Sequence, residues 1–359
     1  MKTVGGKKLV QFVILFTVVA IFGYSIVENL YGPFPTDKGF PLQPLWETKL
    51  NDNIKQVIVS ENGHILARLG YSINSLSPKT GDLLWKYRTD YPIYSTAAYR
   101  NTIYVIGKNM VLTLDERTGD ELWQQAIFMG SPSEPEIRYV DDHTLVMVDY
   151  SDIYMVNSRT GDLIIPAFKV GKGIADTCVY QEKLYIFNRS ISAYDLTNGN
   201  FLWEDLSDQY PSNTVCENGI AYFSETPSNV FAYDLEKHSL IWSNAFLLPE
   251  TGIFDVYNSQ NFLFIDGVGE FFIVDKDQGK VLHSSPSAGQ TASKTVIGDN
   301  LFVFYMHEQA IYSYNIQTWK YKGKLRYSFS TIFGTETDRF LQNGNQLILW
   351  KGKRLFLYE

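Results

Sequence analysis

Short runs of alternating apolar and polar residues fill the chain from residue 44 onward, and the breaks between them are of two recurring kinds. Alternation with period two marks a strand with one buried face. The first kind of break is a tight turn that opens an alternating run: ENGHILAR, YRNTIYVI, DDHTLVMV, QEKLYIFN, ENGIAYFS, SQNFLFID, GDNLFVFY and QNGNQLILW. Within these, Asn62-Gly63, Asn218-Gly219 and Asn343-Gly344 predict type I′ hairpin turns, because both central positions need positive φ. The second kind carries an acid and a glycine. It is clearest in LTLDERTGDELW (Leu112 to Trp123) and SAYDLTNGNFLW (Ser192 to Trp203). Degraded copies are NSLSPKTGDLLW, FAYDLEKHSLIW, YMVNSRTGDLII and FIVDKDQGKVLH.

The two breaks keep a fixed register. Gly81, Gly119, Gly161, Gly199, His238 in the same slot, Gly279 and Trp319 follow one another at 38 to 42 residues. A period in this range in a β-rich chain means a solenoid or a propeller. Each unit holds four short strands, which is one propeller blade. The chain ends at RLFLYE (Arg354 to Glu359), a third strand without its fourth. The missing strand stands at the start as PLWETKL (Pro44 to Leu50), with Trp46 in the slot that Trp85, Trp123, Trp203 and Trp242 fill. Counting fourth strands at those residues and at Ile165, His283 and near Tyr321 predicts an all-β, eight-bladed β-propeller over 44–359, closed by the N-terminal strand. Closure removes both sheet edges.

The repeat residues have a structural explanation. Asp115, Asp195, Asp234 and Asp275 can accept hydrogen bonds from amides two and three residues on. Gly81, Gly119, Gly161, Gly199 and Gly279 supply the positive φ that closes the turn. The outer-strand tryptophan covers the blade interface with a large apolar area and one donor.

The first 28 residues differ from the rest. Lys2, Lys7 and Lys8 precede a 19-residue run, Leu9 to Val27, that is apolar except for Gln11, Thr17, Gly23, Tyr24 and Ser25. Such a run is long enough to cross a bilayer as a helix. Lysines before it and none soon after predict a cytoplasmic N-terminus and an extracytoplasmic propeller, a single-pass protein of the cell membrane. A cleaved signal peptide is the competing reading, with Gly23 and Ser25 as the small residues at its cleavage site; the length of the apolar run favours an uncleaved anchor. The organisation is then a cytoplasmic tip and transmembrane anchor (1–28), a tether (29–43) and the propeller (44–359).

Net charge is -8 over 359 residues, and beyond Lys8 there are 28 basic and 39 acidic residues. That balance argues against nucleic acid or anionic lipid as the main partner of the body. The two cysteines, Cys178 and Cys216, fall on first strands of neighbouring blades. Such strands are not hydrogen-bonded partners, so two buried free thiols are expected, although an extracytoplasmic site permits a disulfide.

Asp-x-x-Thr-Gly-x-x-x-Trp, present at Asp115 to Trp123 and, with Asn198 for Thr, at Asp195 to Trp203, resembles the tryptophan-docking repeat of the pyrroloquinoline quinone (PQQ)-like propellers. The resemblance covers 44–359. One branch of that family consists of quinoprotein dehydrogenases holding PQQ and calcium over the channel. The other is non-enzymatic and similar to the propeller lipoprotein of the outer-membrane β-barrel assembly machinery. The enzymes carry an adjacent Cys-Cys pair and ligand-bearing insertions, and this chain has neither. The resemblance therefore implies a non-enzymatic scaffold without cofactor, with a PQQ- and calcium-dependent dehydrogenase as the alternative. No histidine pair has metal-ligand spacing, and no nucleophile elbow or phosphate-binding loop occurs.

A ligand, if bound, would meet first-strand residues at one channel mouth: Lys55, Ser95, Glu136, Asp176, Asn213, Asp255 and Lys294. The loops FMGSPSEPEI and NAFLLPETGIF instead offer Phe128, Met129, Leu247 and Leu248 as candidate contacts to a partner, since exposed apolar loop residues often mark an interface. The expected partner of a monomeric propeller is an envelope protein or a cell-surface polymer.

Overall fold

The computed structural model describes residues 37–359 apart from 128–134, 171–173, 175, 207–210, 226–227, 247–252, 260–261, 268, 287–290, 306–307, 309 and 327–338. The described residues form eight antiparallel sheets of four strands. Seven are built from consecutive strands, as in the first: Gln56–Val59, Ile65–Arg68, Ser72–Leu76 and Leu83–Arg88. The eighth joins the two ends of the chain. Arg339–Asn343, Gln346–Lys351 and Arg354–Tyr358 are completed by Pro44–Lys49, with Pro44 opposite Tyr358 and Lys49 opposite Arg354.

The eight first strands are Gln56–Val59, Ile93–Tyr99, Glu136–Val140, Asp176–Tyr180, Ser212–Glu217, Ile253–Asn258, Thr291–Ile297 and Arg339–Asn343. Each neighbours the next, and the last returns against the first, so the ring is closed. The protein is an eight-bladed propeller. Second and third strands carry the core, as their unbroken apolar runs require. In Thr102–Gly107 and Met110–Asp115 the residues Ile103, Val105, Ile106, Val111, Leu112 and Leu114 are fully buried.

Closure involves more than the one strand. Gln43 and Glu359 exchange both backbone hydrogen bonds, at 2.8 and 2.9 Å. Residues 37–42, the end of the expected tether, lie against the outer edge of the seventh blade. Asp37 N donates to Lys324 O at 2.8 Å, and Phe40 is buried edge-on to Phe302 at 5.7 Å.

The fourth strand expected near Tyr321 is present as Tyr321–Arg326. Register places Gly323 opposite Ser313, where other blades carry their tryptophan. The space that glycine leaves is taken by residues 39 and 40, whose backbone passes 2.7 to 3.1 Å from where a Cβ would stand. In the third blade Pro166 cuts the fourth strand to Phe168–Lys169, so Ile165 lies outside it. Among the three Asn-Gly turns, only Asn218-Gly219 has both residues left-handed (φ 49° and 79°). At Asn62-Gly63 only the glycine is left-handed, closing a longer loop that begins with Ser60 O accepting from Gly63 N. Pairing of Asn343 with Gln346 moves the centre of the last turn to Gly344-Asn345.

The cysteines are also corrected. Cys178 and Cys216 form a disulfide with Cα atoms 6.2 Å apart. The expectation of free thiols rested on the absence of strand pairing between blades. Neighbouring inner strands converge on the channel closely enough for side chains to bridge them, so no ladder is needed.

The described residues contain no helix, and none is long and apolar enough to cross a membrane. The expected anchor, Leu9 to Val27, lies outside the described residues.

Candidate functional site

Two sets of contacts join blade to blade, one at the outer rim and one around the channel. At the rim the Asp turn comes first. Asp115 Oδ1 accepts from the amides of Arg117 and Thr118 at 3.0 and 2.8 Å, and Asp195, Asp234 and Asp275 repeat the pattern. These bonds favour the ionised form. Asp115 is held below the usual carboxylate range chiefly by the Thr118 amide, Asp195 chiefly by the Thr197 hydroxyl, and Asp234 chiefly by the Lys237 ammonium.

The turn then presents a bare glycine to the previous blade's tryptophan. A Cβ on Gly81, Gly119, Gly161 or Gly279 would stand 2.6 to 2.7 Å from a ring carbon of Trp46, Trp85, Trp123 or Trp242. The indole N–H of Trp46, Trp85 and Trp242 donates to the carbonyl three residues before that glycine, namely Pro78, Glu116 and Lys276, at 3.0, 2.8 and 2.7 Å. Elsewhere the partners change. Ile165 lies on Gly199, Trp203 stacks on His238 at 4.0 Å, and His283 stacks on Trp319 at 5.7 Å. His238 and Trp319 keep the left-handed backbone of the glycine slot, at φ 52° and 56°.

A buried acid lies behind the Trp85 dock. Glu116 is 1% exposed and accepts from Ser60 Oγ and, at 2.8 Å, from Asn62 Nδ2. His64 Nδ1 stands 3.5 Å from the same carboxylate, and its amide donates to Ser60 Oγ. Serine, histidine and acid meet here, but the hydroxyl donates to the acid rather than to the imidazole. The cluster fastens a hairpin of the first blade to the second.

Around the channel, polar side chains reach the next inner strand. Gln56 binds both backbone groups and the hydroxyl of Thr96. Ser95 Oγ accepts from Ile137 N at 3.1 Å, Asp176 Oδ2 from Thr214 N at 2.9 Å, and Thr295 Oγ1 donates to Gln342 Oε1 at 2.6 Å. The disulfide lies two residues beyond the Asp176 clasp on both strands.

Of the expected channel-mouth residues, Ser95 and Asp176 are therefore inter-blade clasps. Lys294 is 9% exposed with its ammonium 5.6 Å from the Phe264 ring centroid, a cation–π contact. Glu136 pairs with Arg138 at 3.0 Å, and Asn213, left-handed at φ 50°, donates to Ser224 Oγ. The Lys55 amide donates to Arg68 O, and Asp255 lies opposite Asp266 in its ladder. Phe128, Met129, Leu247 and Leu248 lie outside the described residues.

The outer strands hold a feature the candidate residues missed. The residues just before the tryptophan slot are large, apolar and about half exposed: Phe201 and Leu202 (56% and 41%), Leu240 and Ile241 (49% and 44%), Val281 and Leu282 (38% and 53%) on three successive blades. Leu83, Leu84 and Leu122 continue the pattern. The signal was present as LLW, ELW, FLW, LIW and VLH, but an apolar run beside a tryptophan reads as core.

No curated protein sequence matches this chain. Solved structures of the same shape are numerous. BamB from Moraxella catarrhalis superposes at TM-score 0.68 with 13% identity, covering 89% of this chain and 97% of that one. The computationally designed Ika8 protein gives 0.70 at 13% identity, over 88% and 99%. The WD40 domain of SCAP from fission yeast gives 0.62 at 11%, over 90% and 98%. At such identities the likeness establishes the fold alone. The sequence itself matches over residues 43–244 the family model described as outer membrane protein assembly factor BamB. With more than half its length so matched, and its tryptophans docked on the glycine turns of successive blades, this chain belongs to the BamB family of PQQ-like repeat propellers.

Proposed function

We propose that this protein is a non-enzymatic scaffold of the cell membrane, anchored by Leu9 to Val27, whose extracytoplasmic propeller binds another envelope protein through its outer strands. The exposed apolar pairs on three successive blades carry the reading, from Phe201 and Leu202 to Val281 and Leu282. Repeated exposed apolar residues on one surface are the ordinary mark of a protein contact. They favour a protein over a polar surface polymer. In sequence Leu247 and Leu248 follow the strand bearing Leu240 and Ile241, and Phe128 and Met129 follow the strand bearing Leu122.

Two further observations support the reading. The Cys178–Cys216 disulfide suits an oxidising compartment. Gln56, Ser95 and Asp176 on the inner strands are engaged with the inner strand of the next blade. The propeller then works as a monomeric platform with neither PQQ nor calcium.

The test is photocrosslinking in intact cells, with reactive residues placed at Leu202, Ile241, Leu282 and Leu248, and at Lys55 and Glu136 for comparison. The expected result is one discrete envelope protein captured from the outer-strand positions and not from the channel. Capture from the channel positions alone would reject the assignment of the surface. Fractionation of the full chain into the cytosol would reject the anchored scaffold itself.

A further inference from the structure

The chain is acidic as a whole, but one corner of the ring is basic. Residues 319–326 and 351–354 together carry seven Lys and Arg and no acid. The two stretches belong to neighbouring blades, the outer strand of the seventh and the hairpin of the eighth that the closing strand covers. Residues 37–49 run from the first to the second: Asp37 N bonds Lys324 O, and Lys49 pairs with Arg354 in the closing strand. Blades seven and eight pack together beneath them, with Leu42, Leu325 and Leu349 in one buried cluster. Lys38, Lys49, Lys320, Lys322, Arg326 and Lys353 are all exposed on this corner. The local acids are partly committed. Glu308 pairs with Lys324 at 3.0 Å, Glu47 pairs with Arg354, and Asp37 accepts from the Tyr321 hydroxyl at 3.1 Å.

This corner is also where the chain leaves the ring toward its N-terminus. Nine residues separate Val27 from Asp37. Fully extended they reach about 30 Å. An anchor ending at Val27 therefore keeps the corner within that distance of the bilayer.

We infer that the basic corner of blades seven and eight docks on anionic lipid headgroups of the membrane that holds the anchor. The inference rests on the anchored reading above and adds an orientation to it. The ring stands with blades seven and eight at the membrane. The apolar outer strands of blades four and five then face away from the lipid, toward a partner. The overall acidity does not oppose this, because the potential at a surface is set by charges within about 8 Å at physiological salt. The acidic remainder repels an anionic surface and leaves this corner as the face that can approach.

The test uses the full chain in two sets of vesicles, phosphatidylcholine alone and phosphatidylcholine containing phosphatidylglycerol. Flotation reports anchoring, and an amine-reactive label read by mass spectrometry reports contact. The expected result is flotation on both sets. Labelling of Lys38, Lys320, Lys322 and Lys353 should fall roughly fivefold on the anionic set relative to Lys86, Lys108 and Lys280. The protection should disappear in high salt and in a Lys322→Glu, Arg326→Glu variant whose melting temperature is unchanged. Flotation with uniform labelling on both sets overturns the docking and leaves the anchor standing. Flotation only on anionic vesicles, with the corner protected, supports the docking and overturns the anchor. No flotation on either set overturns both. Protection on phosphatidylcholine alone to the same extent overturns the charge-based contact.

Discussion

The outer rim and the inner ring hold the same eight blades together by different means. At the rim one device recurs: an Asp-braced turn offers a glycine, a tryptophan from the previous blade covers it, and the indole N–H takes the carbonyl three residues before that glycine. Around the channel no two described junctions are alike. Gln56 grips Thr96, Ser95 takes the Ile137 amide, Asp176 takes the Thr214 amide beside a disulfide, and Thr295 binds Gln342. A repeated device can be inherited by each copy of a repeat, whereas the inner strands crowd round one axis and each junction is fitted singly. Where the rim device lapses, at Trp203 on His238, the disulfide joins the inner strands of the same two blades.

The largest expected effect comes from opening the ring. Deleting Pro44–Lys49 uncovers the full edge of Arg354–Tyr358 and unseats Phe40 from the seventh blade. The product should aggregate and lose its cooperative melting transition, as a bare edge strand does. A monomeric deletion variant with an unchanged melting curve would mean that the closing strand is dispensable.

The inner ring is probed next. Replacing Cys178 and Cys216 together with serine should lower stability by about 2–4 kcal/mol in urea unfolding. The size of that loss measures the inner ring at the junction where the rim is irregular. A loss under about 0.5 kcal/mol, within the range of an ordinary surface substitution, would mean that Trp203 on His238 suffices there.

The rim is probed by a pair of glycines. Gly119 and Gly269 share a left-handed backbone, but only Gly119 faces a tryptophan, with Trp85 2.7 Å from the site of a Cβ and nothing within 4 Å at Gly269. Gly269→Ala should cost about 1 kcal/mol for backbone alone, and Gly119→Ala about 1–3 kcal/mol more for the displaced ring. Equal losses in thermal unfolding would mean that the tryptophan contact at the rim is slack.

The smallest effect is on the turn acids. Asp115, Asp195 and Asp234 have native pKa values below the ordinary carboxylate value, so they contribute stability in the ionised form. That contribution is complete above about pH 4 and is lost as pH falls through the depressed native values. Asp195→Asn should therefore melt slightly below the parent at pH 6, and the gap should narrow as pH falls below about 4. A gap that widens on acidification would reverse the assigned sign.

The difference between rim and ring also explains what the sequence made legible. Blade number, strand register and closure at Trp46 could be read because the rim device repeats at a fixed period. The departures have local causes. Pro166 shortened a strand, and Gly323 takes the tryptophan position of its blade where residues 39 and 40 arrive from far away in the chain. The inner clasps could not be read, since Ser95 and Ile137, or Cys178 and Cys216, become neighbours only when the ring closes. Ser95 and Asp176 were visible as polar first-strand residues, but their role depends on a partner strand that sequence does not identify. The exposed apolar pairs were visible in the repeat and passed as core, because alternation does not tell a blade's outer strand from its inner ones.

The account holds that channel polar groups bind blade to blade and that the outer surface carries the function. The most direct test is titration of the purified full chain with PQQ and calcium, followed by quinone absorbance and by melting temperature. The account predicts no saturable change in either. Saturable quinone binding that raises the melting temperature, and that is lost when the first-strand candidates Lys55 and Glu136 are substituted, would contradict it.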